Sequence, residues 1–154
     1  MKRDLPTLLT AEITSQQIFD YITHFLYKQG APSMGSMPGD PPELSESGCA
    51  YRGTDNRMCA AGCILPDEIY LPEMEGLDIE TLMSDYKDTE GQEVYWGIIS
   101  KHLKLIKDLQ DIHDGTDTLV AGSKLVVRYV YRREFSKVAA RFGLKFDPKD
   151  YRAQ

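Results

Sequence analysis

The residues with the strongest chemical potential are three cysteines, Cys49, Cys59 and Cys63, spaced C-x9-C-x3-C. Thiolates bind zinc, and a structural zinc site takes four ligands, often as CxxC pairs. Here the fourth ligand would have to come from His24, His102 or His113. A cysteine nucleophile needs a base beside it. His113, followed by Asp114, is the candidate base. Neighbours along a helix point in different directions, so Asp114 is a poor orienter for His113. The simpler expectation is that the cysteines pack a hairpin against a helix as small apolar side chains. His113 and Asp114 then close a helix C-terminus.

Two further groups are cationic. Arg52 and Arg57 flank a turn beside Tyr51, and two guanidinium groups there can hold a phosphate or carboxylate. Pairing with Asp67-Glu68 or Glu73 to Glu75 is the competing expectation. With Cys49 and His113, these residues make the candidate ligand site. The second group is Arg128, Arg132, Arg133, Lys137 and Arg141. Phe135 to Leu144 has the look of the first helix and turn of a helix-turn-helix, but Lys145-Phe146-Asp147-Pro148 is a poor start for a recognition helix. Phosphate contacts without sequence reading are what these cations allow. The chain contains no Walker loop, GxGxxG, HExxH or GxSxG.

Bulk composition sets the frame. The 154 residues are 42% hydrophobic and 27% charged, ordinary globular usage for one domain over 1–154. No apolar run approaches a membrane span, and no apolar stretch follows Lys2-Arg3 as a secretory signal would require. Clustered cysteines in odd number suggest reduced thiols and a cytoplasmic location. Residues 1–122 hold 9 Lys/Arg against 21 Asp/Glu, whereas 123–154 hold 9 against 3. That asymmetry marks either a charged partner or attraction between the two parts within the fold.

The elements that must position these groups follow from periodicity. Thr14 to Gly30 predicts a helix, with a capping box at Thr14 and Gln17 and a C-terminal glycine. Residues 31–47, rich in Pro, Gly, Ser and Met, predict a loop in which Met34 and Met37 offer adaptable contacts. Cys49 to Arg52 and Arg57 to Ala60 predict a hairpin about the turn Gly53 to Asn56. Ala61 to Leu65 starts a buried helical piece that Pro66 interrupts. Turns at Asp67 to Tyr70 and Pro72 to Gly76 follow, then a short helix from Asp78 to about Met83. Thr89 to Asp114 predicts one long helix with a capping box at Thr89 and Gln92. Lys124 to Tyr131 alternates like a strand, and Arg133 to Phe142 predicts a final helix ended by Gly143. The fold class is α+β, mainly helical with a small β-hairpin.

Four segments stand out together: Cys49 to Gly53, Met58-Cys59-Ala60-Ala61-Gly62-Cys63-Ile64-Leu65-Pro66-Asp67, Tyr70 and Pro72-Glu73-Met74-Glu75-Gly76. They resemble a family of small uncharacterised proteins of phages, prophages and bacteria. The flanks Gln17 to Asp20, Leu109 to Asp114 and Ala139 to Leu144 share the likeness. The resemblance implies a mobile-element context in the bacterial cytoplasm and no particular activity. The expected function is a non-enzymatic binding module, a phage-encoded modulator of a host protein, without a cofactor or membrane partner. The alternatives are a small-ligand or zinc site centred on Cys49 to Cys63, with Cys/His chemistry, and nucleic-acid binding through the basic C-terminal part.

Overall fold

The computed structural model of the chain describes residues 5–41, 48–116 and 123–151. Helix α1 (Leu5–Leu8) leads to α2 (Ser15–Gln29). Thr14 and Gln17 form the expected capping box on α2, and Gly30 closes it in the left-handed conformation. A short antiparallel pair follows, β1 (Met34–Gly35) with β2 (Gly48–Cys49), in the register Met34 opposite Cys49. The Ser33 carbonyl accepts from the Ala50 amide at 3.0 Å, and the Ser33 hydroxyl donates to the Ala50 carbonyl at 2.8 Å. These bonds extend the pairing by one residue on each strand. A small antiparallel pair therefore exists, but it is not the expected one: β1 lies inside the Pro/Gly/Ser/Met segment, which is not loop throughout. Residues 42–47 of that segment lie outside the described residues.

The hairpin expected across Gly53 to Asn56 does not form. The turn itself is real: the Gly53 amide donates to the Arg57 carbonyl at 2.8 Å. Asp55 and Asn56 take left-handed backbone angles, which their short polar side chains tolerate. Its flanks cannot become strands because glycine packing pulls them elsewhere. A Cβ on Gly62 would stand 2.5 Å from the Tyr51 carbonyl oxygen, and one on Gly53 would stand 2.8 Å from that of Met34. Helix α3 (Ala60–Cys63) starts directly after Cys59. The turns at Pro66 to Tyr70 and Pro72–Met74 are as expected. Asp78 caps α4 (Ile79–Tyr86), which runs three residues beyond Met83.

The expected long helix is two, α5 (Glu93–Lys101) and α6 (Leu103–Asp114). The break falls at His102, whose backbone leaves helical geometry while its Nδ1 meets Ser15 Oγ at 3.1 Å. The capping box at Thr89 does not form either. Gly91 turns the chain with a positive φ, and Gln92 Oε1 instead accepts from the Trp96 indole at 2.9 Å.

Helix α7 (Lys124–Phe142) runs through the expected strand. Ser123 caps its start and Gly143 its end. Val127, Tyr131, Phe135, Val138 and Ala139 are buried, at helical spacing throughout. The apparent alternation came from Leu125 and Tyr129, which face outward, and from β-branched valines that tertiary packing holds in a helix.

Helix α6 sits centrally, packed against α2, α3, α4, α5 and α7. Its Leu105, Ile106 and Leu109 join Ile18, Phe19, Ile22 and Leu26 of α2, Ile64 and Leu65 after α3, and the inner face of α7 in one apolar cluster. Each such side chain contributes about 1.5–3 kcal/mol on burial.

Candidate functional site

His113 projects from the last turn of α6 into the back of the β1–β2 pair and is fully buried. The Ser33 amide donates to its Nε2 at 2.9 Å. Its Nδ1 lies 3.5 Å from Cys49 Sγ and 3.3 Å from Asp114 Oδ1. Gln110, one turn earlier, donates to Cys49 Sγ at 3.2 Å and to Asp114 Oδ1 at 2.7 Å, and accepts from the Ala61 amide at 3.0 Å. One helix end thus ties together both strands and α3.

The hydrogen bonds assign the ring's proton. A ring nitrogen that accepts from an amide carries none, so in the neutral ring the proton sits on Nδ1, shared between Cys49 and Asp114. Burial opposes the imidazolium. Hydrogen bonds with Asp114 and Cys49 favour it and raise the pKa to about 9 on their own balance. The Ser33 amide opposes that result, because a protonated Nε2 would point N–H against N–H. We therefore assign the neutral ring.

Two expected chemistries meet this assignment. A nucleophilic relay uses both ring nitrogens, one facing the thiol and the other an orienting carboxylate. Here thiol and carboxylate converge on the same nitrogen, which already bears the proton. The hydrogen bond with Cys59, burial and the neighbouring charges raise the Cys49 pKa well above its usual range, although His113 pulls the other way. The balance favours the thiol form of Cys49 over the thiolate. Metal binding is a closer fit by distance, since ligand atoms of Cys49, His113 and Asp114 all lie within 4.8 Å of one another. A metal on Nδ1 would move the proton to Nε2, where ligating histidines normally meet an acceptor and His113 meets the Ser33 amide. This is a different donor set from the expected Cys49, Cys59 and Cys63. Cys59 caps α3, its sulfur accepting from the Gly62 amide at 3.3 Å. Cys63 is buried and donates to the Ala60 carbonyl at 3.1 Å.

Arg52 and Arg57 do not converge. The Arg52 guanidinium donates to the carbonyls of Tyr51, Gly62 and Leu65, pairs with Asp67 at 2.8 Å and stacks 4.8 Å over the Tyr70 ring. It closes the C-terminal end of α3. Among the described residues, Arg57 pairs with Asp55, at 3.9 Å. The Tyr51 hydroxyl donates to the Leu77 carbonyl. Pairing of Arg52 with Asp67 matches the competing expectation. Glu75 is buried and accepts from the Tyr51 and Arg52 amides and the Tyr70 hydroxyl at 2.8, 3.1 and 2.8 Å.

The basic residues of α7 are mostly engaged internally. Arg128 donates to the Tyr27 and Lys28 carbonyls at the end of α2. Arg141 pairs with Asp108 at 2.7 Å, and Arg133 and Lys137 share Glu134 at 3.1 Å. Arg132 is exposed. Attraction within the fold thus accounts for part of the charge asymmetry.

A cleft of about 390 Å³ opens between α6, the start of α4 and the hairpin. Met37, Cys49, Tyr51, Leu77 and Ile79 form its walls, with Asp78, Lys107, Gln110, Asp111 and Asp114 among its polar lining. The sequence reading did not single out Ser33, Gln110, Lys107 or Asp111. A usable signal existed for Gln110, Asp111 and Asp114: with Lys107 they recur every three to four residues on α6, on the side away from Leu105 and Leu109. None existed for Ser33, whose role depends on a long-range fit.

No family model matches this chain, no curated protein resembles it significantly in sequence, and no solved structure matches it significantly. Among the described residues, no helix is long and apolar enough to cross a membrane.

Proposed function

We propose that this protein is a binding module for a protein partner, in keeping with a phage-encoded modulator of a host protein in the bacterial cytoplasm. One observation carries the reading. The side chains with the chemistry to form an active centre, Cys49, Arg52, Cys59 and His113, are occupied in joining the hairpin, α3 and α6. What remains open is surface: the cleft, and the outer face of α7, where Leu125 and Tyr129 are 74% and 62% exposed. Exposed apolar groups at one place favour a partner. The test is capture from bacterial lysate, followed by reconstitution from two purified proteins. A one-to-one complex by native mass spectrometry, weakened by Leu125→Asp or by Leu77→Asp, both at exposed side chains, supports the reading. Background alone at high bait concentration counts against it.

The Cys49, His113 and Asp114 grouping favours a second reading, a metal-binding protein. Zinc added to the purified chain would then remain bound in native mass spectrometry and be lost in Cys49→Ser. Zinc retention unaffected by Cys49→Ser would remove that reading.

A further inference from the structure

The cleft has a charge imbalance that the fold leaves unanswered. Among the described residues, Asp78, Asp111 and Asp114 line it against one cation, Lys107. Lys107 is itself bound to Glu80 at 2.7 Å. Asp78 accepts from the Thr81 amide as the cap of α4, and Asp114 is bound to Gln110 and His113. Asp111 has neither a side-chain hydrogen bond nor an ion pair within the described structure. Partial burial and the neighbouring Asp114 and Asp108 raise its pKa, and Lys107, held by Glu80, only partly offsets them.

Beneath these carboxylates the wall is apolar, built from Met37, Leu77 and Ile79 beside the Cys49 and Cys59 thiols. An occupant matched to both features carries a delocalised cation on an aliphatic stem. Arginine meets that description: its stem covers apolar surface and its planar fork pairs with carboxylates. The volume, about 390 Å³, is at the small end for ligand sites and suits one long side chain.

We infer that the cleft between α6 and the start of α4 receives an arginine side chain of a protein partner, with Asp111 as its principal carboxylate. This rests on the binding-module reading and names the chemistry of the partner's anchor. An arginine anchor is also common among residues that dominate binding at interfaces.

The test uses the full chain and N-acetyl-arginine amide, with N-acetyl-citrulline amide as the uncharged isostere. Binding is followed by NMR. Saturable shifts are expected at Leu77, Ile79 and Tyr51, with the citrulline probe weaker by about tenfold, the size of one charge-assisted hydrogen bond. Asp111→Asn should weaken the arginine probe similarly while leaving the citrulline probe unchanged. Asp111 is on the surface, so the variant should retain the native spectrum elsewhere. Equal binding of the two probes, shifts mapping outside the cleft, or no saturable shift would each overturn the inference. A purified partner complex that forms while the arginine probe fails would remove the anchor and leave the binding module standing.

Discussion

Two short segments are fastened to the helices by opposite means. The hairpin is held by polar contacts that converge on His113 and Gln110. The C-terminal segment is held by rings. Tyr151 stacks on His24 and Phe146, with centroids 4.6 and 5.0 Å away, and meets Tyr27 and Phe135 edge-on at 5.6 and 6.0 Å. The Tyr151 hydroxyl also meets Thr23 Oγ at 2.6 Å and His24 Nδ1 at 3.4 Å, and Gln16 pairs with the Lys145 backbone at the surface. A polar fastening fixes one geometry, because each buried donor has one partner, and removing that partner is costly. An apolar fastening spreads its stabilisation over area and tolerates losing one atom. The hairpin wall of the cleft is thus the more sharply defined of the two regions.

The largest break in that contrast is His113→Ala. It leaves the Ser33 amide unpaired in the interior and opens a cavity, and we expect a loss of about 3–5 kcal/mol in urea denaturation. Histidine-selective ¹⁵N NMR sharpens the same point: near neutral pH the His113 proton should reside on Nδ1, and an imidazolium spectrum would contradict the Ser33 bond. Tyr151→Phe keeps every ring contact and should lose only about 1 kcal/mol. A loss equal to that of His113→Ala would erase the distinction.

Acid offers a third comparison, through His102 at the α5–α6 break. Its pKa is lowered, by burial first and by Lys101 second. A lowered histidine pKa means that the folded state binds the proton less well than the unfolded chain. Its contribution is complete above the ordinary histidine value of 6.5 and is lost as the pH falls through the lower folded value. Stability measured from pH 7 to 5 should decline, and less so in His102→Gln. The smallest effect belongs to the surface pair Arg141 and Asp108. Arg141→Ala should cost at most about 0.5 kcal/mol and lose even that in high salt.

Local signals predicted local structure where the capping groups themselves close the element, and failed at Thr89 and across Gly53 to Asn56. Helix α2 was legible because Thr14, Gln17 and Gly30 cap it with their own side chains and backbone, whatever lies around them. The strand expected over Lys124 to Tyr131 failed for the converse reason. Valine and tyrosine prefer strands modestly, and the stripe from Val127 to Ala139 outweighs that preference only when α2 and α6 are present to bury it. The candidate site divides in the same way. Cys49 and His113 do meet, as the nucleophile reading required. What their meeting means depends on the Ser33 amide, eighty residues away from His113 in the chain. No spacing rule reports a contact of that kind.

The pairing of β1 with β2 also has a practical side. It brings Gly35 and Gly48 together, so the stretch between them begins and ends at one place in the fold. Extra chain spliced in after the exposed Pro41 would fall between two ends that are already paired, at about 0.6 kcal/mol for each doubling of the closed length. That makes the strand pair a natural port for a reporter or an affinity handle.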